Sequence, residues 1–225
     1  MKRLIAAVAL ACLAGAGLAW LVPSMSEGAG AKPASVKLKL ENIVAEIAFE
    51  RGPKLTLTSK PSPLAEGTYT VKTLSVFQKD DKGKVWELRA IPEQLGSLAT
   101  ITVDAEQEKI VDVGPPLSFH GWSRQGDPPK QDIVHLGFTA IGRMTVRYVP
   151  SVFLGGRRGP GPTLRLLTPE GKLIHQAAFS VAKDGQCTYE WKPGAFRGKY
   201  KVAIDASFGA FEWAMANPDL LFEIK

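Results

Sequence analysis

The sequence predicts an all-β protein, two consecutive β-sandwich modules behind an apolar leader helix. Three observations carry this. Short stretches alternate apolar with polar residues. Clusters of Gly, Pro, Asp and Ser interrupt them at intervals of about 8–12 residues, and no long amphipathic helical pattern follows the leader. The chain has 225 residues, 45% hydrophobic and 22% charged, the balance of a globular chain and not of a disordered or collagen-like one.

The leader comes first. Met1-Lys2-Arg3 precedes an uncharged apolar run over residues 4–22. A basic start and an apolar run form an export signal, and Gly17-Leu18-Ala19 and Ala29-Gly30-Ala31 offer small-x-small cleavage frames. The run also reaches the length of about 18 apolar residues that spans a bilayer, so an anchor retained through residues 4–22 stands beside a cleaved signal peptide. Ala9 occupies the position where a lipidated cysteine at Cys12 usually has Leu, which argues against a lipoprotein. Either way the expected location is extracytoplasmic, periplasmic or secreted, and residues 1–31 are leader and linker.

The first module, residues 32–116, is expected to hold strands at 36–40, 43–49, 55–58, 68–77, 85–91, 99–103 and 109–113. Ile43 and Ile47 stand four apart and also suit a helical turn, but the alternation over 43–49 favours strand. Lys60-Pro61-Ser62-Pro63 and Asp80-Asp81-Lys82-Gly83 separate strands, and Gly114-Pro115-Pro116 closes the module as a stiff linker, since proline cannot donate to a ladder. The second module, residues 117–225, is expected to hold strands at 133–140, 144–149, 163–168, 173–181, 188–191, 199–206, 211–216 and 220–225. Pro169-Glu170-Gly171-Lys172 and Lys183-Asp184-Gly185 are its hairpin turns.

One frame occurs in both modules. Gly67-Thr68-Tyr69-Thr70-Val71 and Gly198-Lys199-Tyr200-Lys201-Val202 share Gly-x-Tyr-x-Val. Glycine lets the chain enter the strand from a tight loop, and the tyrosine hydroxyl can close onto the backbone of that loop. Both tyrosines are expected to be mostly buried and outside any functional site.

The stretch from Pro63 to Val71 resembles a strand entry of transthyretin-like, carboxypeptidase-regulatory-like modules. The stretch Trp191 to Val202 resembles the end of bacterial immunoglobulin-like modules, with Thr168-Pro169-Glu170-Gly171-Lys172 similar to the turn upstream. The resemblance implies immunoglobulin-like sandwiches in an exported accessory or adhesion-type protein, mostly a non-catalytic role, and it carries over no functional residue.

Motifs for chemistry are sparse. The three histidines, His120, His135 and His175, lack zinc-ligand spacing, and HExxH, CxxC and G-x-S-x-G are absent. The Gly-rich stretch 155–162 lacks the Lys-Ser/Thr ending of a phosphate loop. Cys187, with Cys12 in the leader, can form no disulfide inside the modules and reads as a small buried residue. Asp104, Glu106 and Glu108 would form an acidic stripe if they shared a strand. A solvated hairpin connection between 101–103 and 110–111 is the simpler reading. Neither a cofactor nor a metal is expected. The net charge of +6 is too modest to argue for nucleic acid.

Six residues are candidates for binding. Phe119, His120 and Trp122 join aromatic rings to a polar donor, suited to a sugar or a peptide, or alternatively begin the core of the second module. Phe208 lies in a connection before the alternating Phe211, Trp213 and Met215 and is expected to be exposed. Arg157 and Arg158, on a Gly/Pro loop, could meet anionic lipid or polysaccharide, or simply be solvated. The expected function is a non-enzymatic exported module with a structural or interaction role at the cell envelope. A carbohydrate-binding accessory domain using Trp122 or Phe208 is the second reading, and a hydrolase with carboxylates from separate strands the third. Expected partners are an envelope protein or polysaccharide, with membrane contact only through an uncleaved N-terminal segment.

Overall fold

Alternation in the sequence becomes alternation in burial. Along Ile43–Phe49 every second side chain is buried and those between are half-buried, so this stretch is strand and not a helical turn. The computed structural model describes residues 34–127, 133–182, 186–215 and 221–224. The leader, with the cleavage frames and the run 4–22, lies outside the described residues, as does the expected turn Lys183-Asp184-Gly185. No helix among the described residues is long and apolar enough to cross a membrane.

The earlier half gives β1 (Ser35–Leu38), β2 (Ile43–Phe49), β3 (Lys54–Leu57), β4 (Ser62–Pro63), β5 (Gly67–Lys79), β6 (Val85–Arg89), β7 (Thr100–Val103) and β8 (Glu108–Val111). The later half gives β9 (Leu117–Gln125), β10 (Val134–Ile141), β11 (Arg147–Tyr148), β12 (Phe153–Leu154), β13 (Arg157–Arg158) and β14 (Thr163–Leu167). It continues with β15 (Leu173–Ala178), β16 (Ser180–Val181), β17 (Cys187–Trp191), β18 (Gly198–Asp205), β19 (Trp213–Met215) and β20 (Leu221–Ile224). The fold is all-β, of sandwich type.

Four sheets result. A small sheet runs β4-β1-β8, with β1 and β8 parallel. A larger one runs β13-β12-β6-β5-β2-β3, with β7 added to β5. In the later half one sheet runs β16-β17-β10-β9-β19, with β11 on β10 and β19 parallel to β9, and the other runs β15-β14-β18-β20. The halves exchange structure at one hairpin: β12 and β13 extend the sheet of the earlier half through β6. An isolated bridge between Ala90 and Tyr148 adds to this tie. One hydrophobic cluster runs from Val36 to Ile224 through both halves.

The segment read as a linker is clamped. Gly114 and Pro115 are buried. The Gly114 N–H donates to the hydroxyl of buried Tyr148 at 3.1 Å, and Arg143 Nε donates to the Pro115 carbonyl at 2.7 Å. A buried backbone donor must find an acceptor, and Tyr148 supplies it.

Other expectations meet mixed outcomes. The Thr168–Lys172 turn does join a hairpin, β14 to β15, closed by Thr168 N–H to Lys172 carbonyl at 2.8 Å. The stretch 144–149 is no single strand: Met144 and Thr145 take φ of 54° and 57°, and only Arg147–Tyr148 pairs. Val146 N–H donates to the Arg143 carbonyl at 3.2 Å, closing a tight turn that reverses the chain onto β10. Asp104 and Glu106 lie in a turn and Glu108 opens β8, but this turn links two sheets and forms no hairpin, since β7 pairs with β5 and β8 with β1. The two tyrosines differ as well. The Tyr69 hydroxyl donates to the Ala65 carbonyl at 2.9 Å, closing the preceding loop as expected, although its ring is only half-buried. Tyr200 is 1% exposed, and its hydroxyl meets Ser123 Oγ at 2.5 Å on the opposite sheet.

Candidate functional site

The site grows from β9, which the sequence reading left outside its strands. β9 pairs with β10 antiparallel from Ser118 opposite Ile141 to Gln125 opposite Val134. Successive side chains of a strand face opposite ways, so Leu117 and Phe119 enter the core while His120, Trp122 and Arg124 face solvent. Phe119 is 0% exposed and packs against Phe138 and Phe208, with ring centroids 5.5 and 4.9 Å away. Phe208 is itself only 2% exposed. Its expected exposure is therefore wrong: the connection before β19 folds back, with Phe211 N–H donating to the Phe208 carbonyl at 3.0 Å, and turns the ring inward. Phe119 and Phe208 are core residues, unavailable to a ligand.

Trp122 has the opposite fate. Its side opposes Gly137 on β10. A Cβ on Gly137 would overlap the indole and come within 2.8 Å of the Cys187 carbonyl oxygen. Glycine thus lets the indole settle over the bare backbone of the neighbouring strand. Trp122 stays 39% exposed, the aromatic member among the exposed large hydrophobic residues that are described.

The indole separates two open depressions. One, of about 340 Å³, is lined by Trp122, Arg124, Gly126, Asp127 and His135. There Arg124 Nη2 donates to Asp127 Oδ2 at 2.6 Å, which pairs the charges, and His135 Nδ1 stands 3.6 Å from Glu190. The other, of about 400 Å³, is lined by His120, Gly121, Trp122, Thr139, Ile141, Arg147 and Gln186. His120 Nε2 shares a hydrogen bond with Ser118 Oγ at 3.3 Å, and Arg147 Nη1 donates to Gln94 Oε1 at 3.0 Å. Polar groups from three strands therefore surround one exposed aromatic face, the composition of a shallow polar-ligand platform.

Arg157 and Arg158 lie elsewhere. They form β13, not a free loop, and Arg158 Nε donates to Ser151 Oγ at 2.6 Å. Gly155-Gly156, with φ of 58° and 78°, is the two-residue turn between β12 and β13. A Gly-Gly pair between short runs is a hairpin signal, and it was present in the sequence. A further hollow of about 230 Å³ at the end of β2 and β5 has walls that include Ile43, Val44, Phe77 and Val85.

Burial pushes the Cys187 thiol up to about 12, which keeps it protonated and unreactive. No group of three His, Cys, Asp or Glu residues among those described could hold a metal ion. Of the six candidates, the structure brings His120 and Trp122 together and adds Arg124, Asp127, His135, Thr139 and Arg147, which sequence reading missed. The alternation of His120, Trp122 and Arg124 was the available signal for their common face. No protein-family model matches the chain, and no curated protein matches it either.

Proposed function

We propose that the protein is an exported, non-catalytic binding module of the cell envelope whose outer β9–β10 face receives a sugar ring on Trp122. The observation that carries this reading is the exposed indole seated over Gly137 between two polar depressions. A pyranose has an apolar face of C–H groups and a rim of hydroxyls. The ring face suits the former, and Arg, His, Asp and Thr side chains suit the latter. Export is supported by the basic start and apolar run of residues 1–22, and an immunoglobulin-like module by the resemblance of the Trp191 to Val202 stretch.

The test is a glycan-binding screen of the full chain beside Trp122→Ala. Retention of a defined set of glycans, lost in the variant while its thermal unfolding stays cooperative, is the expected result. Retention unchanged by Trp122→Ala, or no retention of any glycan, rejects the reading and leaves a structural or protein-interaction role at the envelope.

A further inference from the structure

The two depressions beside Trp122 differ in charge. On one side Arg124 is paired with Asp127 at 2.6 Å, so these two opposite charges offset each other. The other side, bounded by Arg147 and His120, has no acidic residue in its wall among the described residues. Arg147 is held by Gln94, a neutral amide, which orients the guanidinium without cancelling its charge. Among the described residues no carboxylate forms an ion pair with it.

Strand geometry fixes the spacing. Trp122 stands opposite Gly137, while Arg147 stands opposite Ile141 on the far side of β10. Four residues along a strand span about 13 Å at roughly 3.3 Å each. Thr139 lies midway and faces outward, opposite His120. A sugar chain with one ring stacked on the indole thus extends over Thr139 toward Arg147. A planar guanidinium binds a carboxylate through two parallel N–H donors.

From this asymmetry we infer that the face is specific for an acidic oligosaccharide: one ring packs on Trp122, and the carboxylate of a uronic acid further along the sugar chain is bound by Arg147, with His120 at the rim. The inference rests on the sugar-binding reading above and adds the ligand class.

The experiment compares two probes that differ only in the acid group, a galacturonic acid hexamer and the matching galactose hexamer. Both are titrated calorimetrically into the full chain. The expected result is tighter binding of the acidic hexamer by roughly ten- to a hundredfold, the range of one charge-assisted hydrogen-bonding contact. Arg147→Ala should weaken the acidic hexamer far more than the neutral one and reduce that preference to about one, and added salt should erode it in the native protein. Trp122→Ala should weaken both. Equal binding of the two hexamers, or a preference unchanged in Arg147→Ala, overturns the acidic specificity alone. Binding of neither overturns the sugar-binding reading and the specificity with it.

Discussion

Phe119 and Trp122 stand three residues apart on one strand and have opposite surroundings. Phe119 is enclosed by Phe138, Phe208 and Trp213, with the Trp213 ring edge-on at 5.2 Å. Trp122 lies over a glycine and keeps its outer face in water. The inner face of β9 thus holds the sheet to its core, while the outer face is open to solvent. An aromatic residue in a sequence says little about its role until the strand that carries it is paired.

The largest expected effect sharpens this contrast. Phe119→Ala should lower stability by about 3–5 kcal/mol in chemical denaturation, because the removed ring leaves a cavity in a packed aromatic cluster. Trp122→Ala should cost about 1–2 kcal/mol, since only the indole contact over Gly137 is lost. Similar losses for the two variants would break the distinction between the faces.

Tyr148 anchors the inner side further along the same sheet. Tyr148→Phe should cost about 1–3 kcal/mol by leaving the buried Gly114 N–H without an acceptor. Burial also raises the Tyr148 pKa above its ordinary value near 10. The folded state therefore prefers the neutral phenol. This contribution to stability is fully present below pH 10 and is lost as pH rises toward the higher folded value. The phenylalanine variant should lack that alkaline loss in unfolding midpoints measured between pH 9 and 11.

The smallest effect lies in the turn that leads from β10 to β11 and Arg147. Met144 and Thr145 occupy left-handed conformations that cost side-chain-bearing residues about 1–2 kcal/mol each. Met144 packs against the core but Thr145 is exposed, so Thr145→Gly, which removes the side-chain penalty of the left-handed backbone, should gain up to about 1 kcal/mol in thermal unfolding. It should leave binding at Trp122 unchanged, because the turn touches the site only through Arg147.

Much of the fold was legible in the sequence. Alternation identified β2 despite the spacing of Ile43 and Ile47, and Gly171, at φ 91°, marked the β14–β15 hairpin. β9 escaped for a physical reason. Its inward positions after Phe119 are Gly121 and Ser123, while the large ring of Trp122 points outward, so the hydrophobic pattern runs against the pairing. The inward turn of Phe208 and the reach of Tyr200 to Ser123 depend on contacts distant in sequence, at a separation of 77 residues in the second case. The two Gly-x-Tyr-x-Val frames show the limit: identical local signals gave a loop closure at Tyr69 and a link between sheets at Tyr200. The charge asymmetry around Trp122 was illegible for the same reason, since Arg147 and Gln94 meet across 53 residues.

Hydroxyl-radical footprinting of the full chain with and without the galacturonic acid hexamer tests the central claim most directly. Saturating hexamer should protect Trp122 from oxidation and leave the exposed Leu173 and Leu221, on the other sheet of the later half, as reactive as before. Trp122 oxidised equally in both samples would contradict the assignment of the β9–β10 face as the binding surface.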